Sequence, residues 1–320
     1  ARYGKKIQMN EGVCPAYSDC RMGLSPDRFI LSYCDRALGI TSAEEQPVLP
    51  KGNNLSLHLL ELFTSQVAKV GMTDGIRQVL QEESDALRAY YEQAGILIAR
   101  PAGGTSCRLA ISAKGGTNAE NHNHNDVGSY AVALGSETMV GDQGGPNSYP
   151  GDYFNGDAPQ KYKIKGSFGH PVPVVDGRTQ SSGGKAKGVV LQKEFTNEKD
   201  VFSIDYTSAY STPNLDKLIR TFVYDRQGKG SFTVGDEFTA KTPIRFETAI
   251  TTRADWKILD DTHLLLATDS EQMIVAIEAS GKVAFTSETI EVNSPAYTRI
   301  GIALKNQSKE GYIRLKMYTK

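Results

Sequence analysis

The chain has 320 residues, with 36 Lys and Arg against 37 Asp and Glu, for a formal net charge of −1 with its five histidines neutral. A balance this close to zero excludes a molecule that captures nucleic acid or an anionic membrane through its overall field, so any anionic ligand must be held by local charge. With 39% hydrophobic residues and 31 glycines, the chain can bury a substantial core and still make many turns, at a length that suits one large domain or two ordinary ones.

No apolar run approaches the roughly 18 residues that a membrane-spanning helix needs. The sequence starts at Ala1 without a charged-then-apolar leader, which reads as a mature or shortened form. Cys14, Cys20, Cys34 and Cys107 include no Cys-x-x-Cys pair. They read as idle or buried thiols ahead of a Cys14–Cys20 bridge.

The first part of the chain carries helical signals. "LSPDRFILSYCDRALG" has Ser25 as N-cap, Pro26 at the first helical position and Gly39 just past the end. "LSLHLLELFTSQVAKVG" places apolar residues at three-and-four spacing, with His58 as a packed core histidine, and stops at Gly71. "DGIRQVLQEESDALRAYYEQ" is a third, more polar helix candidate. These three segments do not close a core of their own and read as the end of a larger helical body.

From Gly95 the period becomes two. About fourteen short runs, from "ILIARP" to "GYIRLKMYT", are rich in Val, Ile, Thr and Tyr and punctuated by Gly, Asn and Asp. The predicted fold class is mainly β. A large multi-layered antiparallel β-sandwich over 96–320 follows a short α-helical region over 1–95. Within it, residues 143–160, "QGGPNSYPGDYFNGDAPQ", form a long loop of the kind that tends to carry function.

The stretch "AENHNHNDVGSY" places two histidines one residue apart. If a strand has begun there, His122, His124 and Asp126 share one face. Asp142 ends the next strand in "VGDQGG", and His170 lies in "GSFGHPVP". His, Asp and His make a sound ligand set for Zn²⁺, leaving a fourth position for water or substrate. Spacing alone leaves two alternatives open. Asn123 and Asn125 can cap a turn with their side chains, and a cupin-like barrel also presents His-x-His with a later His.

"HNHNDVGSY", "MVGDQGG", Tyr149 in "NSYPGDYF" and "QKYKIKGSFGHPVPVVDGRTQ" occur in an order that resembles the heparinase II/III-like polysaccharide lyase superfamily. The resemblance covers about 95–320, with its best motifs between 118 and 180. It implies an (α/α) toroid followed by a multi-layered antiparallel sandwich, so that residues 1–95 look like the tail of the toroid. It also implies a metal, usually zinc, held by His124, Asp142 and His170, with His122 lining the active site. The implied reaction is β-elimination at a uronic acid, with Tyr149 as base and then acid, and Tyr153 as the alternative tyrosine. The implied partner is an anionic polysaccharide, and the implied compartment is the periplasm or cell exterior.

Removing the weakly acidic C5 proton requires that the charge developing on the uronate be neutralised by nearby donors or cations. A tyrosine acting as base needs its pKa of about 10 lowered by neighbouring positive charge. Lys161, Lys163 and Lys165 in "KYKIK" would share one face of a strand, either guiding a polyanion or guarding an edge. Arg220, read at a strand start, could grip a uronate bidentately or make an ordinary salt bridge. Tyr153 and Lys163 complete the predicted substrate contacts. No role is assigned to His263.

Residues that would neutralise the substrate carboxylate from a toroid cannot be placed in 1–95. "CPAYSDCR", with Tyr17 and Asp19, is at most a cleft edge. A chain without them would hold metal and base yet fail to turn over substrate. Two rival functions are compatible with the same residues. One is a metal-stabilised sandwich that binds glycan without cleaving it. The other is a cupin-like metalloenzyme using His122, His124 and His170 together.

Overall fold

A computed structural model describes residues 6–10, 12–27, 30–31, 86–291 and 295–320. The chain divides into two compact units, one of Met9–Leu24 with Leu87–Lys320 and one of Ala1–Gln8 with Ser25–Ala86. The helix read at 55–71 and most of those at 24–39 and 74–93, with His58 and Cys34, lie outside the described residues. Ile30 and Leu31 are helical. The Ile30 N–H donates to Asp27 Oδ1 at 3.0 Å and the Leu31 N–H to the Asp27 carbonyl at 3.0 Å. Asp27, not Ser25, therefore caps this turn, as a carboxylate readily does.

The larger unit is built of strands. In chain order they are β1 (Arg88–Tyr91), β2 (Ile96–Ala99), β3 (Leu109–Lys114), β4 (Thr117–Asn118), β5 (Tyr130–Leu134), β6 (Glu137–Val140), β7 (Val174–Val175), β8 (Gly183–Lys187), β9 (Val189–Phe195) and β10 (Lys199–Asp205). There follow β11 (Leu215–Asp225), β12 (Ser231–Ile244), β13 (Phe246–Thr252), β14 (Asp255–Asp260), β15 (His263–Ala267), β16 (Gln272–Ala279), β17 (Val283–Ile290), β18 (Tyr297–Leu304) and β19 (Ser308–Thr319). They form an eight-stranded sheet ordered β14-β15-β16-β19-β12-β11-β10-β9 and a five-stranded sheet ordered β1-β2-β3-β5-β6. A four-stranded sheet, β17-β18-β13-β7, and the β4-β8 pair complete the unit. The pairings are antiparallel, as expected for a layered sandwich.

The layers meet through aromatic rings. Tyr130 on β5 lies 6.1 Å from Phe222 on β11 and 5.8 Å from Phe232 on β12, joining the five- and eight-stranded sheets. Phe238 on β12 stacks at 4.6 Å on Phe246 of β13, joining the eight- and four-stranded sheets. Each such buried ring contributes about 1.5–3 kcal/mol over an exposed one. Strands β3 and β5 are buried along their whole length because both of their faces are covered.

Several local expectations change. Arg88–Tyr91, read as helical, is β1, paired in register with Ile96–Ala99. Tyr90 there packs on Phe195 and Phe202 at 5.9 and 5.8 Å, and burial against the sheet overrides the helical propensity of the segment. Gly95 at φ +62° makes the turn, and a Cβ there would fall 2.8 Å from the Gly116 nitrogen. "KYKIK" is not a strand. Lys161 ends the short helix α1 (Ala158–Lys161), and Lys163 to Lys165 form a turn. Arg220 sits mid-strand in β11, and strands β4, β7, β8 and β14 carry no strong period-two signal in the sequence. Among the described residues no helix is long and apolar enough to cross a membrane.

Candidate functional site

The β4–β5 connection is shaped by buried polar side chains. Asn118 accepts the Asp126 N–H at 3.1 Å and donates to Gln180 Oε1 at 3.0 Å and the Ser181 carbonyl at 2.8 Å. Asp126 is paired with the buried Lys114 ammonium at 2.6 Å. Asn125 does not cap its own turn. It donates to Ser182 Oγ at 3.1 Å, while its N–H meets the Lys165 carbonyl at 2.9 Å. The backbone is irregular up to β5, so strand alternation does not govern it. His122 takes φ +56°, and this turn separates the pair. The side chain of His122 is 68% exposed and that of His124 0%.

Two further loops bring partners to His124. Asp142 follows β6, with its neighbour Gly141 anchored to Thr251 on β13 by a backbone bond at 3.0 Å and a hydroxyl bond at 2.6 Å. Its carboxylate accepts the Gly144 N–H at 2.9 Å and the Ser129 hydroxyl at 3.3 Å. His170 follows a 3₁₀ turn, Ser167–Gly169, tied down by the Tyr297 hydroxyl on the Gly169 carbonyl at 3.0 Å. Its Nδ1 meets Asp142 Oδ2 at 2.8 Å. The potential ligand atoms of His124, Asp142 and His170 lie within 4.8 Å of one another, and all three residues are buried.

Hydrogen-bond accounting separates this group from an ordinary polar network. His124 Nε2 has partners in Tyr153 at 2.9 Å and Asp19 at 3.1 Å, but its Nδ1 has none, and neither does His170 Nε2. A buried unpaired polar atom costs about 1–3 kcal/mol, and two imidazole nitrogens beside a carboxylate are the donor set of a transition-metal cation. The residues fit a metal ion. His122 is not among them, so the cupin-like set of His122, His124 and His170 does not form.

The charges fit at His124 and Asp142 but not at His170, whose upward shift favours the protonated ring over the neutral ligand. Burial pushes the His124 pKa down despite Asp19, which favours the neutral imidazole that binds metals. Burial would also lower His170, but the charge and hydrogen bond of Asp142 outweigh it and the net shift is upward. Burial would raise Asp142, but His170 first, and His124 after it, hold it below the usual carboxylate range.

Asp19 closes the group, its carboxylate meeting His122 Nδ1 at 2.7 Å and His124 Nε2 at 3.1 Å. Burial works to raise its pKa, but the hydrogen bonds to His124 and His122 keep it low. Nothing in the sequence links a residue 103 positions upstream to the His-x-His motif.

The two candidate tyrosines differ. Tyr153 is fully buried with its hydroxyl on His124, and burial drives its pKa up. It supports the cluster from within, which corrects its reading as a substrate contact. Tyr149 is 40% exposed, with its ring 5.2 Å from Tyr153 and 5.0 Å from the exposed Phe154. Phe154 also meets the His122 ring at 5.8 Å. Tyr149, Phe154 and His122 thus form one exposed patch beside the buried cluster. The Tyr149 phenol is shifted up, by burial first and then by Asp19, with Arg21 opposing.

The predicted cations disperse. Lys165 is buried, donates to the Tyr153 carbonyl at 2.7 Å and lies 4.5 Å from the Tyr153 ring centroid. Lys161 pairs with Asp152, and Lys163 with Glu288. Arg220 is fully buried and grips Asp236 in two bonds of 2.7 and 2.6 Å, so it cannot reach a uronate from solvent. His263 meets Asp260 in the β14–β15 turn. Cys14, Cys20 and Cys107 are free thiols.

No family model matches the chain, and no curated protein does. Solved structures do. A heparinase III with methylated lysines superposes with a TM-score of 0.66 at 12% identity, over 99% of this chain and 44% of its own. The fold is that of the heparinase III structures. A second heparinase III gives 0.65 at 16% identity over 99% and 47% of the two chains. The heparan sulfate lyase HepC from Pedobacter heparinus gives 0.65 at 14% over 98% and 45%. The chain spans less than half the length of each of these proteins.

Proposed function

We propose that the chain is part of a polysaccharide lyase that cleaves a uronic-acid-containing glycan by β-elimination. The observation that carries this reading is the divergence of the His-x-His pair. One imidazole stands exposed against the Phe154 ring, which also packs on Tyr149, while the other is buried with an unpaired nitrogen close to a His–Asp pair. The heparinase III fold supports the same reading.

In this reading Tyr149 and His122 meet the substrate around the Phe154 ring. The C5 proton leaves to a basic group and the C4 glycosidic oxygen departs with a proton, so acid and base must stand at the same edge of the sugar. The raised Tyr149 pKa keeps its phenol protonated near neutral pH, the reverse of the lowering its expected role as base requires, so Tyr149 is assigned only the donating half of the cycle. His122, hydrogen-bonded through Nδ1 to Asp19, takes the C5 proton on the Nε2 of its exposed side chain. His124, Asp142 and His170 would hold the metal, zinc by donor set, which would supply positive charge and pin the three loops together. Lys163, exposed at its pairing with Glu288, is the proposed cation for an anionic chain. A polysaccharide substrate of this kind places the protein in the periplasm or outside the cell.

Metal content and product formation test the reading. The wild type should hold near-stoichiometric zinc by elemental mass spectrometry. His124→Ala should lose it, and His122→Ala should keep it. Tyr149→Phe should keep metal and glycan binding but lose the ultraviolet absorbance of unsaturated product by at least about 10²-fold. A wild type that takes up no added zinc sinks the metal assignment. One that binds glycan and metal but releases no product is a binding module.

A further inference from the structure

We infer that Asp19 is a positioning residue that sets the orientation of both histidines of the His-x-His pair, and that Met9–Leu24 is therefore a working part of the site. The inference rests on the metal reading above. An imidazole that offers Nδ1 to a metal carries its proton on Nε2, and a carboxylate accepting that proton fixes the ring and raises its basicity. Asp19 Oδ1 lies 3.1 Å from His124 Nε2. Its Oδ2 lies 2.7 Å from His122 Nδ1, so the same carboxylate places the His122 proton on Nδ1. The lone pair is then left on Nε2 of a side chain that is 68% exposed. One carboxylate thus holds the buried imidazole as a ligand and the exposed one as a proton acceptor.

A second, independent observation is the seat built for Asp19. Gly144 and Gly145, just after Asp142, lie directly against the Asp19–Cys20 backbone. A Cβ on Gly144, at φ +70°, would fall 1.7 Å from the Cys20 carbonyl oxygen, and one on Gly145 would fall 2.9 Å from Asp19 Cα. The Gly145 N–H donates to the Cys20 carbonyl at 3.3 Å, and Arg21 bridges Gly144. Three more bonds fasten the segment. They are Asn10 Nδ2 to the Gly135 carbonyl at 2.7 Å, Tyr17 to the Ser112 hydroxyl at 2.8 Å, and Arg21 to the Asn147 carbonyl at 2.8 Å. The loop that carries Asp142 is therefore shaped to receive the segment that carries Asp19, and only glycine fits there.

The test uses the whole chain and zinc alone. Asp19→Asn should weaken zinc binding about 10–100-fold in a chelator competition, with the metal-free melting temperature near that of the wild type. In the imidazole ¹⁵N spectrum His122 should move from one tautomer to a mixture. Asp19→Glu should recover part of both. Gly144→Ala removes no ligand yet should weaken zinc binding to a similar degree. Gly228→Ala, at φ +58° with open space around it, should not, which controls for backbone strain alone. Asp19→Asn with wild-type zinc affinity and an unchanged ¹⁵N spectrum overturns the inference while leaving the metal site standing. A wild type that binds no zinc overturns the metal reading and this inference with it.

Discussion

Two buried polar groups in the β unit look alike by burial and differ in what they leave unpaired. Arg220 and Asp236 lie at 0% and 1% exposure, and His124, Asp142 and His170 at 0%, 1% and 1%. Around Arg220 every guanidinium nitrogen is used. Nε and Nη2 bind Asp236, Nη1 binds the Gly128 and Pro171 carbonyls at 2.7 Å each, and Nη2 also meets Thr248 Oγ1 at 3.1 Å. Thr248 and Tyr206 return to the same carboxylate at 2.7 and 2.6 Å. The histidine cluster leaves two ring nitrogens without partners. The first network is closed; the second leaves two imidazole nitrogens beside a carboxylate unmet, a donor set that could take a metal ion and that costs free energy while unpaired.

That contrast can be broken most severely at Arg220. Replacing it by Met strands the Asp236 carboxylate in the interior and should cost about 3–5 kcal/mol, read as a lowered urea midpoint with metal chelated. A smaller loss would show that the network is less closed than its geometry. At the cluster the effect should depend on metal. Zinc at about 100 times its dissociation constant should stabilise the wild type by about 2.7 kcal/mol and His170→Ala not at all, as followed by calorimetry. Equal stabilisation of both proteins would remove the difference between the two groups.

The smallest effect belongs to an exposed network, where burial contributes nothing. Asp260 accepts the Thr262 N–H at 2.7 Å and meets His263 Nδ1 at 3.0 Å, which together hold its pKa at about 2. The folded value is depressed, so its slight stabilisation is present above the ordinary value of 3.8 and fades as pH falls through about 2. An NMR titration of the Asp260 carboxyl should give that low midpoint. One near 3.8 would show the turn to be open in solution.

Much of the fold was legible because period-two alternation in β-branched and aromatic residues arises from little besides a half-buried strand. Strands such as β11 and β19 alternate buried and exposed positions along much of their length. Arg88–Tyr91 was not legible, because Ala, Leu, Arg and Glu favour helix locally and only pairing with β2 makes it a strand. The lysines of "KYKIK" misled for the same reason. Alternation implies a shared face only on an extended backbone, and that segment turns.

Read alone, the sequence determined the residue types and their order, namely His124, Asp142 and His170 on separate segments of a β-rich chain, since side-chain identity is local information. Tertiary structure alone decided which donors stay open. It turned His122 outward through a positive φ, closed Arg220 on Asp236, buried Tyr153 while leaving Tyr149 exposed, and brought Asp19 onto both histidines. These outcomes depend on contacts between segments far apart in the chain, and burial and pairing at that range have no local signature in sequence.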